Sequence, residues 1–173
     1  MRIELNPDWS DFLRLLLSHH VRFLLVGGHA VAGHGEPRLT EDLDVYVDLS
    51  VANARRLRKV LVEFGLGSAT PSESDLLERG RIWMIGRKPH RIDILTEIDG
   101  VVFEECWLGR TEADFAPAPI PVIGRTELIK NKRASGREKD RADVARLEQA
   151  HGALSKKKSK TKVATKKKPR RRV

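Results

Sequence analysis

Asp42 and Asp44 stand two apart in Asp42-Leu43-Asp44-Val45-Tyr46-Val47-Asp48. Strict alternation reads as a strand, with Leu43, Val45 and Val47 on one face and Asp42, Asp44, Tyr46 and Asp48 on the other. Same-face Cα atoms in a strand lie ~6.5 Å apart. Two carboxylates so placed can converge on hard divalent cations such as Mg²⁺. Without a cation they repel, and one is pushed toward protonation. For an Asp-x-Asp pair alone, the plain alternative is the solvated face of an amphipathic strand. A third acid shifts the weighting. Asp93 lies in Arg91-Ile92-Asp93-Ile94-Leu95, where Ile92 and Ile94 should face the core, and a carboxylate within so apolar a strand is out of place. If the two strands are neighbours, three carboxylates share one surface. That is the ligand set of a two-metal phosphoryl-transfer centre, with cations ~3.5–4 Å apart. The competing role for Asp93 is an ion pair with Arg91 or Arg38.

Gly27-Gly28 follows the apolar run Val21–Val26 and precedes a short helical stretch, His29–His34. Two glycines let the backbone approach a phosphate, and a helix N-terminus favours an anion; a tight strand–helix turn is the plain alternative. The stretch is not a P-loop, because His34-Gly35 stands where Lys-Ser/Thr would be, and no Gly-x-Gly-x-x-Gly occurs. His29 and His34 are five apart, not at the four-residue spacing of a helical zinc pair. The single cysteine, Cys106, excludes an internal disulfide framework and reads as a small buried residue. Trp9, Trp83 and Trp107 read as core aromatics.

The elements that must position these groups follow from periodicity. Asn6-Pro7 marks the start of a helix over 7–19, with Trp9, Phe12, Leu13 and Leu16 at helical spacing. Ser50 caps a second helix carrying Ala54, Leu57, Val60, Leu61 and Phe64, which Gly65 ends. Residues 72–79 suggest a helical turn, 81–86 and 91–98 an antiparallel hairpin, and Phe103 with Trp107 a short helix. Pro117–Ile123 is an extended stretch. Thr126 is the expected cap of a helix bearing Leu128, Ile129, Lys130, Lys132 and Arg133, which Ser135-Gly136 separates from a last helix over 138–150. The pattern predicts an α/β (α+β) class fold, a small mixed sheet with helices packed on it.

A glycine turn, Asp-x-Asp on a strand about a dozen residues later, and a third Asp on a later strand together resemble the nucleotidyltransferase superfamily, of polymerase-beta-like fold. The stretches Leu24–Ala30, Pro37–Asp44, Arg91–Thr96 and Asn131–Asp140 resemble its small bacterial branch, which includes abortive-infection and toxin-type members. The resemblance implies transfer of a nucleoside monophosphate from an NTP, ATP among them, to an acceptor hydroxyl, with two Mg²⁺ ions (Mn²⁺ as a substitute). Asp42 and Asp44 match the first two metal ligands, and Asp93 the third, which helps activate the attacking hydroxyl. Gly27 and Gly28 match the phosphate-holding turn. Many members carry Ser at the second glycine; Gly28 leaves backbone N–H groups to serve. Lys132 lies where members often direct a base at those phosphates, or it is a solvated helix lysine. Arg38 is a second phosphate clamp, or it neutralises the acidic cluster.

The chain has 173 residues, 40% hydrophobic, enough for one globular domain. Its net charge of +9 is unevenly spread. Of 33 Lys and Arg, eleven fall in 155–173 without one acid, so 22 face 24 Asp and Glu in 1–154, a net of −2. The body is therefore not a basic nucleic-acid-binding domain. Residues 1–152 read as a nucleotidyltransferase-like domain and 153–173 as a disordered Lys/Arg-rich tail, which either solubilises or attracts RNA as an acceptor. No apolar run reaches the ~18 residues of a membrane helix and no signal segment opens the chain, so the expectation is a cytoplasmic protein without a membrane partner. The alternatives are a catalytically inactive nucleic-acid-binding or regulatory module of the same fold, and a toxin-type enzyme held by a regulatory partner protein.

Overall fold

Asp42–Val47 forms a strand in the interior of a six-stranded mixed sheet. The computed structural model describes residues 3–36, 38–116 and 118–149. Helix α1 (Pro7–Ser18) is followed by β1 (Phe23–Leu25), α2 (Gly27–Gly33), β2 (Asp42–Val47) and α3 (Val51–Leu61). Then come β3 (Ile82–Ile85), β4 (Arg91–Leu95), α4 (Phe103–Leu108), β5 (Thr111–Asp114), β6 (Pro119–Val122) and α5 (Arg125–Ser135). A last helix, α6, covers the described residues 138–149. The sheet order is β3-β4-β2-β1-β6-β5. β2 runs parallel to β4 and antiparallel to β1; β1 is parallel to β6, and the two edges are the antiparallel pairs β3–β4 and β5–β6.

Burial follows from this order. All three residues of β1 are fully buried, as expected of an interior strand covered on both faces. Leu43, Val45 and Val47 enter the core with Ile92 and Ile94. Phe12, Leu13 and Leu16 of α1 join the same core, and Asn6 caps that helix by accepting from the Trp9 N–H at 2.9 Å. Ser50 caps α3 through the Asn53 N–H, and Gly136, at φ 66°, ends α5 in the left-handed conformation.

Several elements differ from the sequence expectation. α3 passes at Leu61 into a wider turn, Val62–Leu66, where Gly65 takes φ 105°. β5 has no alternation to reveal it: Thr-Glu-Ala-Asp buries only Ala113, and its charges suit the edge position it occupies. α5 starts at Arg125 behind Gly124, not behind Thr126. A Cβ at Gly124 would lie 2.3 Å from the Gly109 carbonyl, so two backbones cross closely there and the helix begins at the crossing. Tyr46, expected on the polar face, is buried with its ring 5.1 Å from that of Phe103. Among the described residues no helix is long and apolar enough to cross a membrane. The Lys/Arg-rich segment and the boundary expected at 152 lie outside the described residues.

Candidate functional site

The parallel pairing of β2 with β4 sets Asp44 directly opposite Asp93 and Asp42 opposite Arg91. Period-two alternation puts all four side chains on one face of the sheet. Asp93 is buried, with Asp42 and Asp44 half-buried beside it. Two carboxylates of β2 and one of β4, far apart in sequence, thus become neighbours through one strand pairing.

Gly27 and Gly28 open α2 immediately after β1. Gly27 takes φ 63°, and a Cβ there would fall 1.9 Å from Asp44 Oδ2, so the turn is built against that carboxylate. A Cβ on Gly28 would fall 2.8 Å from Cβ of Thr40. Thr40 in turn donates to Asp42 Oδ1 at 2.9 Å, tying the approach to β2 to the first acid.

Burial raises the Asp44 pKa to about 6, with Asp42 and Asp93 adding to the rise and Lys139 and Lys132 opposing it. The negative charge at Asp44 is thus incompletely offset. Asp42 and Asp93 have a counter-ion. Arg91 Nε lies 2.7 Å from Asp93 Oδ1, and its Nη2 lies 2.6 Å from Asp93 Oδ2 and 3.3 Å from Asp42 Oδ2. The ion pair expected as the competing role of Asp93 is therefore present. Among the described residues no three acidic, His or Cys side chains already converge as a cation cage. The donor chemistry nonetheless fits a hard cation: carboxylate oxygens, one sheet face, and an acid whose charge awaits compensation.

Lys132 on α5 is buried, not solvated. Its Nζ is 2.8 Å from Asp140 Oδ1 and 2.7 Å from Asp143 Oδ2, both on α6. Arg38 pairs with the same Asp143, and Ser135 donates to Asp140. Arg38 thus neutralises an acid of α6 and not the β2–β4 cluster. Two cations and two anions bind α5, α6 and the segment leading into β2 into one unit.

A cavity of about 360 Å³ opens between these parts. Gly27, Gly28, Arg38, Thr40, Asp42, Asp44, Lys132, Arg137, Lys139 and Asp140 line it, together with Ile82, Leu95, Glu97, Ile98, Asp99 and Asn131. Asp93 does not line it, although it is the cross-strand partner of Asp44. Sequence reasoning missed Thr40, Asp140 and Asp143 as site-forming groups. The i, i+3 spacing of the two acids on α6 was the available signal. His29 sits behind the glycine turn, packed edge-on to Trp9 at 5.0 Å; burial lowers its pKa to about 4. It donates nothing to the cavity lining.

No family model matches the chain, and no curated protein matches it in sequence. Among solved structures, it is similar to the crystal structure of the lincosamide antibiotic adenylyltransferase LnuA with lincomycin bound. The two are 20% identical, with a TM-score of 0.50, over 86% of this chain and 99% of that one. The likeness is one of fold. The mixed α/β sheet predicted from the sequence is present, and its fold is similar to that of this adenylyltransferase.

Proposed function

We propose that this protein transfers a nucleoside monophosphate from an NTP to an acceptor hydroxyl and releases pyrophosphate. The observation that carries this reading is the pairing of Asp44 with Asp93 across β2 and β4, with Asp42 and Asp44 lining a cavity beside a glycine turn built against Asp44. Asp42 and Asp44 would hold two Mg²⁺ ions, which Mn²⁺ could replace, and Asp93 would share one of them. When bound, such ions neutralise the charge that develops on the α-phosphate and on the leaving pyrophosphate. The remaining work falls to the chain itself. Gly27 and Gly28 let the start of α2 pack against Asp44 and Thr40, which brings this backbone to the cavity where a triphosphate would sit. Arg137 and Lys139 add exposed cations to the cavity lining, while Lys132 and Arg38, held by Asp140 and Asp143, give it fixed hydrogen-bond donors.

The fold likeness to an antibiotic adenylyltransferase and the net −2 of the body support a small alcohol as acceptor, with ATP as the donor to try first. A second reading has its own observation, the eleven cations of 155–173, which would serve an RNA acceptor in a toxin-type member of the small bacterial branch. A cytoplasmic site and control by a partner protein belong to that reading; co-purification from the native host tests the partner. Mass spectrometry of products after incubation with each NTP, Mg²⁺, a pool of small alcohols and cellular RNA identifies the acceptor. An adduct larger by one nucleoside monophosphate is expected. Mg·NTP binding without any adduct in either pool would leave a binding module as the better reading.

A further inference from the structure

Arg91 occupies the lone pairs that a cation on this face would need. Its guanidinium grips both oxygens of Asp93 and reaches Asp42, while its own side chain is one-quarter exposed. Bidentate guanidinium–carboxylate pairs are among the strongest polar contacts, and they fix the carboxylate plane. Here both Asp93 oxygens meet Arg91, although Asp44 is the direct cross-strand partner of Asp93. The other charged groups beside Asp42 are Lys88, at 3.7 Å, and Glu41, which Lys88 also meets at 3.6 Å. Both are exposed and make no bidentate contact. Arg91 is thus the one fixed counter-ion of Asp93 among the described residues.

Resting on the reading of these aspartates as cation ligands, we propose that Arg91 is a resident counter-ion that competes with divalent metal for Asp93 and Asp42. Metal loading and the Arg91 fork exclude one another. The arrangement holds the acidic face together when no metal–nucleotide is present and raises the metal concentration needed to open it. Loading breaks two N–H···O contacts to Asp93 and the one to Asp42, and the guanidinium leaves toward solvent, where its side chain is already partly exposed. No covalent bond changes.

The test is Mn²⁺ binding to the full-length protein without nucleotide, read from the electron paramagnetic resonance signal of free Mn²⁺. Arg91→Gln removes the charge and the fork and should bind Mn²⁺ at least tenfold more tightly than wild type. Arg91→Lys keeps a point charge without the fork and should fall between. If Arg91→Gln fails to fold, the wild type decides: by ¹⁵N NMR the Arg91 Nε–H should be protected from exchange in the metal-free protein, and saturating Mg²⁺ should abolish that protection. An affinity for Arg91→Gln within twofold of wild type, or an Arg91 Nε–H untouched by Mg²⁺, overturns the proposal while the transfer reading stands. Absence of Mn²⁺ binding to every form overturns both.

Discussion

Replacing Asp44 by Asn should stabilise the metal-free protein, and the gain should depend on pH in a calculable way. Burial and two neighbouring acids raise the Asp44 pKa from 3.8 to about 6. A carboxyl raised on folding binds its proton more tightly in the native state. Its contribution is therefore favourable at low pH and is lost as pH rises from about 4 to about 6. One pKa unit corresponds to about 1.4 kcal/mol. The raised pKa of Asp44 then costs about 3 kcal/mol at pH 7.5 and about 1 kcal/mol at pH 4.5, where the folded carboxyl is nearly all protonated while the unfolded one is mostly ionised. The asparagine side chain carries no charge at either pH and has nearly the same volume. The change in stability on Asp44→Asn should consequently be about 2 kcal/mol more favourable at pH 7.5 than at pH 4.5. In a domain of this size that difference corresponds to about 4–8 °C in Tm. Urea or thermal unfolding of both proteins in EDTA at the two pH values measures it. Equal effects at both pH values, or a larger loss at pH 7.5, would show that burial beside two acids does not raise Asp44.

Other perturbations follow from the same geometry. Gly27→Ala meets both a left-handed φ and the Asp44 carboxylate; it should cost about 1–2 kcal/mol in unfolding experiments and reduce NTP affinity. Lys132→Met leaves Asp140 and Asp143 without their buried ammonium; a loss of about 3–5 kcal/mol is expected by denaturant titration. His29, lowered to about 4, favours its neutral form in the fold, so its contribution is present above pH 6.5 and fades as pH falls toward 4; His29→Phe should remove about 2–3 kcal/mol of acid lability between pH 7 and pH 4.5. A chain ending at Leu154 should keep its NTP and metal affinity. If the tail binds RNA, truncation also flattens the salt dependence of RNA affinity, by about 0.7 in slope for each phosphate the tail had neutralised.

The carboxylate face was legible because strand alternation is a local property. Asp42 and Asp44 needed only period two, and Asp93 needed only its apolar neighbours. Their meeting depended on a parallel β2–β4 pairing that no local pattern encodes. Arg91 was visible as a neighbour of Asp93, but the bridge from Asp93 to Asp42 arises only from that register. Lys132 illustrates the opposite limit. On a helix of weak apolar periodicity a lysine reads as solvated, and its burial comes from two acids on the next helix, Asp140 and Asp143. β5 was invisible because a short charged edge strand has no apolar alternation to read. The fold class needed no such long-range information: helix caps at Asn6 and Ser50, the Gly136 stop and the alternating strands are each set within a few residues.

The central claim is that Asp42, Asp44 and the glycine turn form a metal-dependent NTP site, and it can be tested without knowing the acceptor. Calorimetric titration of the protein with a non-hydrolysable NTP analogue, with Mg²⁺ and in EDTA, gives the decisive comparison, repeated with Asp42→Asn and Asp44→Asn. Tight binding is expected only with Mg²⁺ and only when both aspartates are present. The same affinity in EDTA, or in either variant, would contradict it.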